Sequence, residues 1–248
     1  MGNPTYDIGH NEKPDFRSLS LSSLRWSLIE QDHVEELNGQ VLERLDVQAL
    51  QAGLAEVKDT FTLGHSDRVA QIAGAVLLRM GFGNDVVIDG LVTGQVHDIG
   101  KDRYQHLIHL ERQLWLPERK EVECHPTRGA DRAEEARLPL RVVRGVGLHH
   151  GYKPSEPYGY DMAARYRRGF IGPLSPEHAI GTAVAAADVF DASRSSRPER
   201  PEPRSATESL GMVLQLSIPD EVKAAFDGLV IREVEPPTEP PTEPPTAA

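Results

Sequence analysis

Apolar residues recur along this chain at helical spacing, and no run alternates apolar and polar positions as a half-buried strand would. The clearest stretch follows His65. Val69, Ile72, Ala73, Val76, Leu77 and Met80 repeat at three- and four-residue intervals, predicting a helix that His65 enters at its start and that Gly81 and Gly83 close. Upstream, Val34, Leu37, Val41 and Leu45 make an amphipathic helix able to pack on the main domain or on another subunit. Asn84 is placed to cap a helix running through Val87 and Leu91 toward His97-Asp98. Leu140 to Leu148 reads as a further helix, whose Val142 and Val146 form one stripe leading to His149-His150. Ser175-Pro176 supplies a cap and a first-turn proline for another, with Ile180, Val184 and Ala187 facing inward. The predicted fold class is all-α, a helical bundle.

The same pattern divides the chain. Residues 1–22 are polar and turn-rich and read as an N-terminal arm; 23–46 form the N-terminal amphipathic helical segment; 47–232 are the main domain. Residues 233–248 repeat a Pro-Pro-Thr-Glu unit with almost nothing to bury, so an extended, solvated tail is expected. The 248 residues carry a formal charge of -11, and the tail's Glu233, Glu235, Glu239 and Glu243 account for four of it. An acidic balance of this size argues against a protein that coats a nucleic-acid polymer. Cys124, the one cysteine, rules out an internal disulfide and fits a reducing compartment; it is expected to pack as a small hydrophobe. No stretch of 18 apolar residues exists, and Met1 to Ser20 lack a charged-then-apolar leader pattern, so the expectation is a cytoplasmic protein without a membrane partner.

Candidate chemistry lies in an ordered series drawn partly from the chain's ten histidines: His65, His97-Asp98, His125, His149-His150 and Asp188. Any one of these alone reads as an ordinary hydrogen-bonded residue. Together, imidazole and carboxylate donors without thiolate suit iron, manganese or zinc, and their number exceeds what one tetrahedral ion could use, which points to two ions. Asp191 stands one helical turn after Asp188, near enough to orient a ligand or touch substrate. Arg194, Arg197, Arg200 and Arg204 follow with positive charge.

On these residues the chain resembles the HD superfamily of metal-dependent phosphohydrolases, and more closely its HD-GYP branch of cyclic di-GMP phosphodiesterases. Asp59 to Ala70 is similar to that branch's opening helix, His97-Asp98-Ile99-Gly100-Lys101 to its signature doublet, and His125 to Ala130 to its third segment. His149-His150 resembles its fourth segment and Ala187 to Ala192 its last. The departures are as specific. Gly151 stands where the family has glutamate, the following loop is about two residues longer, and Asp161 replaces the proline of Gly-Tyr-Pro. Members with three metals carry a glutamate one turn before the first histidine, where this chain has Phe61.

The resemblance implies an all-α HD-domain helical bundle with a dinuclear metal cleft over 47–232. Its metal ligands would be His65, His97, Asp98, His125, His149, His150 and Asp188, holding two divalent ions, iron or manganese, with Asp98 as the bridge. It further implies hydrolysis of a cyclic dinucleotide, foremost cyclic di-GMP, by a metal-bridged hydroxide. Asp98 and Lys101 would be catalytic, and Lys101, Asp191, Arg197 and Arg200 would contact substrate, the arginines through paired hydrogen bonds to phosphate. A signalling protein is a further partner class. Left open by the sequence are a catalytically inactive metal-bearing module that binds nucleotide or protein, another HD phosphohydrolase or nuclease, and a mixed-valent di-iron oxygenase.

Overall fold

The structure, a computed structural model, describes residues 28–55, 60–108, 110, 112–152, 175–195 and 202–230. Residues 1–22, read as an N-terminal arm, 233–248, read as a tail, and 153–174 lie outside the described residues. The described chain is helical and contains no β-strand, as the apolar spacing predicts. In order the helices are α1 (Leu28–Leu42), α2 (Leu45–Ala55), α3 (Thr60–Arg79), α4 (Asn84–Val96), a 3-10 helix (Ile99–Tyr104), and α5 (Gln105–Ile108). They continue with α6 (Leu116–Val122), α7 (His125–Glu135), α8 (Leu140–Leu148), α9 (Pro176–Ser193), α10 (Ala206–Leu214) and α11 (Asp220–Leu229). Among the described residues no helix is long and apolar enough to cross a membrane.

At the centre lie α3, α4, α8 and α9. Of the stripe read from the sequence, Val69, Ile72, Ala73, Val76 and Leu77 are buried, and Met80 is partly buried. The turn after α3 rests on Gly81, whose φ of 81° is a left-handed conformation that glycine adopts without steric cost. It reverses the chain so that α4 runs back along α3, and a Cβ on Gly94 would sit 2.4 Å from Ala70 Cα. Small residues therefore set how closely these two helices pack. In α9, Ala179, Ile180, Ala183, Val184, Ala186, Ala187 and Phe190 are buried, so the helix is enclosed on nearly every side by α3, α4 and α8. Phe190 meets Phe226 of α11 edge-on at 5.3 Å between ring centroids, a geometry that adds ~0.5–1.5 kcal/mol beyond area burial.

The N-terminal pair packs on this core. Val34, Leu37 and Val41 are buried against α3 and α4, but α1 ends at Leu42 and Leu45 opens a second helix instead of extending the first. A buried polar seam joins the two layers. Asn38 Nδ2 donates to Asp67 Oδ1 at 2.9 Å, while Gln95 Nε2 donates to Asn38 Oδ1 and to Asp67 Oδ1, both at 3.0 Å. Gln51 Nε2 of α2 completes it on Gln95 Oε1 at 2.7 Å.

Three local expectations are corrected. His65 does not start α3, which begins at Thr60 and so carries His65 in its second turn. Gly83, not Asn84, is the N-cap of α4, and no side chain caps it; Asn84 instead meets His33 of α1 through its Oδ1 at 3.1 Å. Cys124 is exposed, because it occupies the turn that opens α7 and not a core position. Ser175, by contrast, caps α9 as expected, accepting from His178 N at 3.3 Å with Pro176 behind it.

Gly100 permits the contact on which the site depends. A Cβ there would lie 2.1 Å from His125 O and 2.7 Å from Gly129 N, both backbone atoms of α7. Arg132 of α7 pairs with Asp102 across the same joint. Gly100→Ala is therefore expected to lower the melting temperature, with an overpacking cost of about 1–3 kcal/mol. At Gly39 a Cβ meets nothing within 4 Å. Gly39→Ala should stabilise the fold by ~0.5–1 kcal/mol, by restricting the unfolded chain, and so raise the melting temperature. Thermal unfolding of the two metal-free variants checks both signs, and equal shifts would show that the joint between the 3-10 helix and α7 is loose.

Candidate metal centre

Three of the imidazoles stand at helix ends, and each uses Nδ1 in the same way. His97 follows α4 and bonds Gly94 O at 2.8 Å; His149 follows α8 and bonds Val146 O at 2.6 Å; His125, after α6, bonds Val122 O at 2.8 Å. A carbonyl accepts only, so Nδ1 carries the proton and donates, and Nε2 is left with its lone pair. The carbonyls belong to the last helical turn, where the intrahelical ladder has run out of donors. One local bond thus satisfies a helix end and aims a ligand atom.

The aimed atoms converge. His65, His97, His125, His149 and His150 form a connected set of rings with neighbouring centroids 4.2 to 5.3 Å apart. The potential ligand atoms fall into two groups, His65 with His97 and Asp98, and His125 with His149 and His150, each gathered within 4.8 Å. Asp98 stands between them: Oδ2 is 3.5 Å from His97 Nε2, and Oδ1 is 3.3 Å from His125 Nε2. Asp188 enters from α9 and also spans the groups, with Oδ1 3.2 Å from His65 Nε2 and Oδ2 3.7 Å from His150 Nε2. All seven residues read from the sequence as ligand candidates are brought together and buried.

A divalent metal fits this donor set. His97 Nε2 is fully buried and makes no hydrogen bond among the described residues, an arrangement that is costly unless something else takes the lone pair. The protonation states fit as well. Burial pushes His97 and His125 below the ordinary imidazole value and His149 well below it, leaving them neutral as ligands must be. Burial would raise Asp98, but His97 and Lys101 outweigh it and hold the carboxyl well below the usual range. Asp188 is likewise held well down against burial, chiefly by His65. His65 goes the other way: burial lowers it, yet Asp188 and Asp191 together lift it to about 9.

Lys101 lies in the 3-10 helix, partly open at 26 % side-chain exposure, with Nζ donating to Asp98 Oδ2 at 2.5 Å. Asp191 departs from the expected substrate contact. It is 0 % exposed, with Oδ2 on His65 Nδ1 at 2.7 Å and both oxygens gripped by Arg68, so it offers substrate no face and is placed to orient a ligand. Arg68 is the residue that sequence reasoning missed. Its signal was a cation one turn after His65 within an otherwise apolar helix face. Gly151, standing for the family's glutamate, turns the chain away from α8 with its N–H on Leu148 O at 2.8 Å. Arg197, Arg200, Asp161 and the Phe61 side chain lie outside the described residues.

The HD domain family matches residues 62–193, more than half of the chain. The chain is 30 % identical over 172 residues to the cyclic di-GMP phosphodiesterase of Thermotoga maritima, covering 68 % of this chain and 43 % of that protein. It is 25 % identical over 188 residues to the 3'3'-cGAMP-specific phosphodiesterase 1 of Vibrio cholerae, covering 71 % and 41 %. The chain therefore spans about two-fifths of the length of these relatives. Among solved structures, the HD domain of the L. monocytogenes phosphodiesterase PgpH in complex with cyclic-di-AMP aligns with a TM-score of 0.45 at 20 % identity, over 67 % of this chain and 87 % of that one. With the family matched from the first turn of α3 to the end of α9, across every candidate ligand, this chain belongs to the HD-domain family.

Proposed function

We propose that this chain is a metal-dependent phosphodiesterase that hydrolyses a cyclic dinucleotide, with cyclic di-GMP preferred, using two iron or manganese ions. The observation that carries the reading is Asp98, whose two oxygens face separate imidazole groups at 3.5 and 3.3 Å, as a carboxylate shared by two ions must. His65, His97 and Asp188 would hold one ion and His125, His149 and His150 the other. When bound, the ions supply Lewis acidity and an acidified water, the chemistry that phosphodiester hydrolysis needs. The family match and the names of both relatives, phosphodiesterases acting on cyclic dinucleotides, support the substrate class.

The chain's own residues divide the remaining work. Lys101, partly exposed beside Asp98, is placed to set its ammonium against a substrate phosphate and offset the charge that develops there. Arg197 and Arg200 would clasp the second phosphate by paired hydrogen bonds. The buried walls of α3, α4 and α9 keep bulk water from the ligand atoms, so these charges act in a medium of low dielectric.

Turnover is the test. Protein purified without oxygen and loaded with iron(II) or manganese(II) is expected to cleave cyclic di-GMP faster than 3'3'-cGAMP or cyclic di-AMP, and to cleave bis(p-nitrophenyl) phosphate slowly. Fully metallated protein that leaves all four intact yet binds cyclic di-GMP tightly would make it a nucleotide-binding module instead. Lys101→Ala should keep both ions and lose roughly 10²- to 10³-fold in turnover, the usual scale for one transition-state contact. Asp98→Ala should bind fewer than two ions by elemental analysis.

Metal loading should also release a proton. His65, at about 9, is protonated in the metal-free chain at pH 7.5, and its Nε2 must give up that proton to become a ligand. Calorimetric titration with manganese(II) in two buffers of different ionisation enthalpy is expected to show the release, fading as pH passes 9. The same shift acts on folding. The raised His65 stabilises the metal-free fold fully below its unfolded value of 6.5, and that contribution disappears as pH rises through about 9. The depressed Asp98, Asp188 and Asp191 act oppositely, stabilising above the unfolded carboxyl value of 3.8 and ceasing to do so on acidification. The depressed His97, His125 and His149 stabilise above the unfolded imidazole value of 6.5 and lose that contribution on acidification, so metal-free protein should melt highest near pH 6.5, and a melting temperature that climbs steadily from pH 6.5 to 9.5 would contradict the His65 assignment.

A further inference from the structure

His65 differs from the other histidines in where it sits. His97, His125 and His149 find a carbonyl three residues back because they stand at helix ends. His65 lies inside α3, where the backbone carbonyls are already taken by the helix ladder. Its Nδ1 must be satisfied from outside the helix, and Asp191 of α9 does so at 2.7 Å. That solution creates a second problem, since a carboxylate at 0 % exposure is untenable without a counter-charge. Arg68 resolves it with a two-pronged clasp, Nε on Oδ1 at 2.6 Å and Nη2 on Oδ2 at 2.9 Å, in the planar geometry that a guanidinium fits and an ammonium does not. Gly64 leaves room for it: a Cβ there would stand 3.3 Å from Arg68 Nη1.

The four residues form two rungs between two helices. His65 and Asp188 make the rung that faces the proposed ions; Arg68 and Asp191, each one turn further along α3 and α9, make the rung behind it. From this arrangement we infer that Arg68 is a positioning residue for one half of the metal centre: acting through Asp191, it fixes the ring of His65 and keeps the proton on Nδ1, so that Nε2 is presented to the ion on the His65 side alone. The inference rests on the two-ion reading above. In the other half His125 and His149 are held by backbone carbonyls, and no side-chain substitution at position 68 disturbs those bonds.

The two halves should therefore separate in binding. Metal-free full-length protein is titrated with manganese(II) against a competing chelator, and the two association steps are resolved for the parent, Arg68→Lys and Asp191→Asn. Arg68→Lys keeps the charge and loses the clasp; Asp191→Asn keeps an acceptor for His65 Nδ1 and loses the charge. Each is expected to weaken one manganese step by about 10- to 100-fold, the usual effect of losing an outer partner of a histidine ligand, and to leave the other step unchanged. Melting of the metal-free variants is followed alongside. Arg68→Leu is a third variant whose loss of fold, should it occur, leaves the two conservative ones to decide. Two parent steps with both variants unaltered, or with both steps weakened equally, would overturn the positioning role while leaving the two-ion reading intact. A parent chain that takes up no manganese or iron would overturn both.

Discussion

The bond from a histidine Nδ1 to the carbonyl three residues before it holds the centre of this protein together. At a helix end that carbonyl has no amide partner, and an imidazole placed just beyond can return a proton to it. His97 and His149 do this at the ends of α4 and α8, and His125 does it after α6. Each bond fixes the tautomer, orients the ring and satisfies a polar group that would otherwise be stranded in the interior. The negative ends of α4 and α8 consequently face the candidate cations, a favourable orientation for positive charge. The bundle places three such helix ends together, and only then do five rings and two carboxylates become one site.

That dependence explains which parts were legible in advance. Donor identity and order could be read directly, because His97-Asp98 and His149-His150 each follow an apolar helical stretch and so must lie where helices stop. The helical class and the stripes of α3, α8 and α9 were equally plain, since burial and spacing share one cause. Several of the departures involve contacts between residues distant in sequence. Asp191 reads as a cleft residue until Arg68, more than a hundred positions earlier, is seen across from it. Asn84 has the chemistry of a cap but is drawn to His33 of α1. Cys124 has the character of a core residue but sits on a turn that the approach of α7 to Gly100 keeps at the surface. The arginines proposed to contact substrate, Arg197 and Arg200, and the residues that follow Tyr152 fall in stretches the structure does not describe.

Charge balance gives the site a further property. Asp98, Asp188 and Asp191 are all buried, and Lys101, Arg68 and a protonated His65 are the cations set against them. On the His65 side an incoming divalent ion takes the place of that proton, so one of its two positive charges is offset as it enters the buried site.

The seam formed by Asn38, Gln95, Gln51 and Asp67 is made of carboxamides around a single carboxylate. An amide presents a donor and an acceptor on opposite sides of one flat group, so sliding α1 along α4 by one residue would set donor against donor. Salt, which weakens ion pairs between layers, has little purchase on such a joint. The seam therefore works as an alignment key: it tells the N-terminal pair not how strongly to bind but in which single register, and Gln95, two residues before His97, extends that register to the helix end that presents the HD doublet.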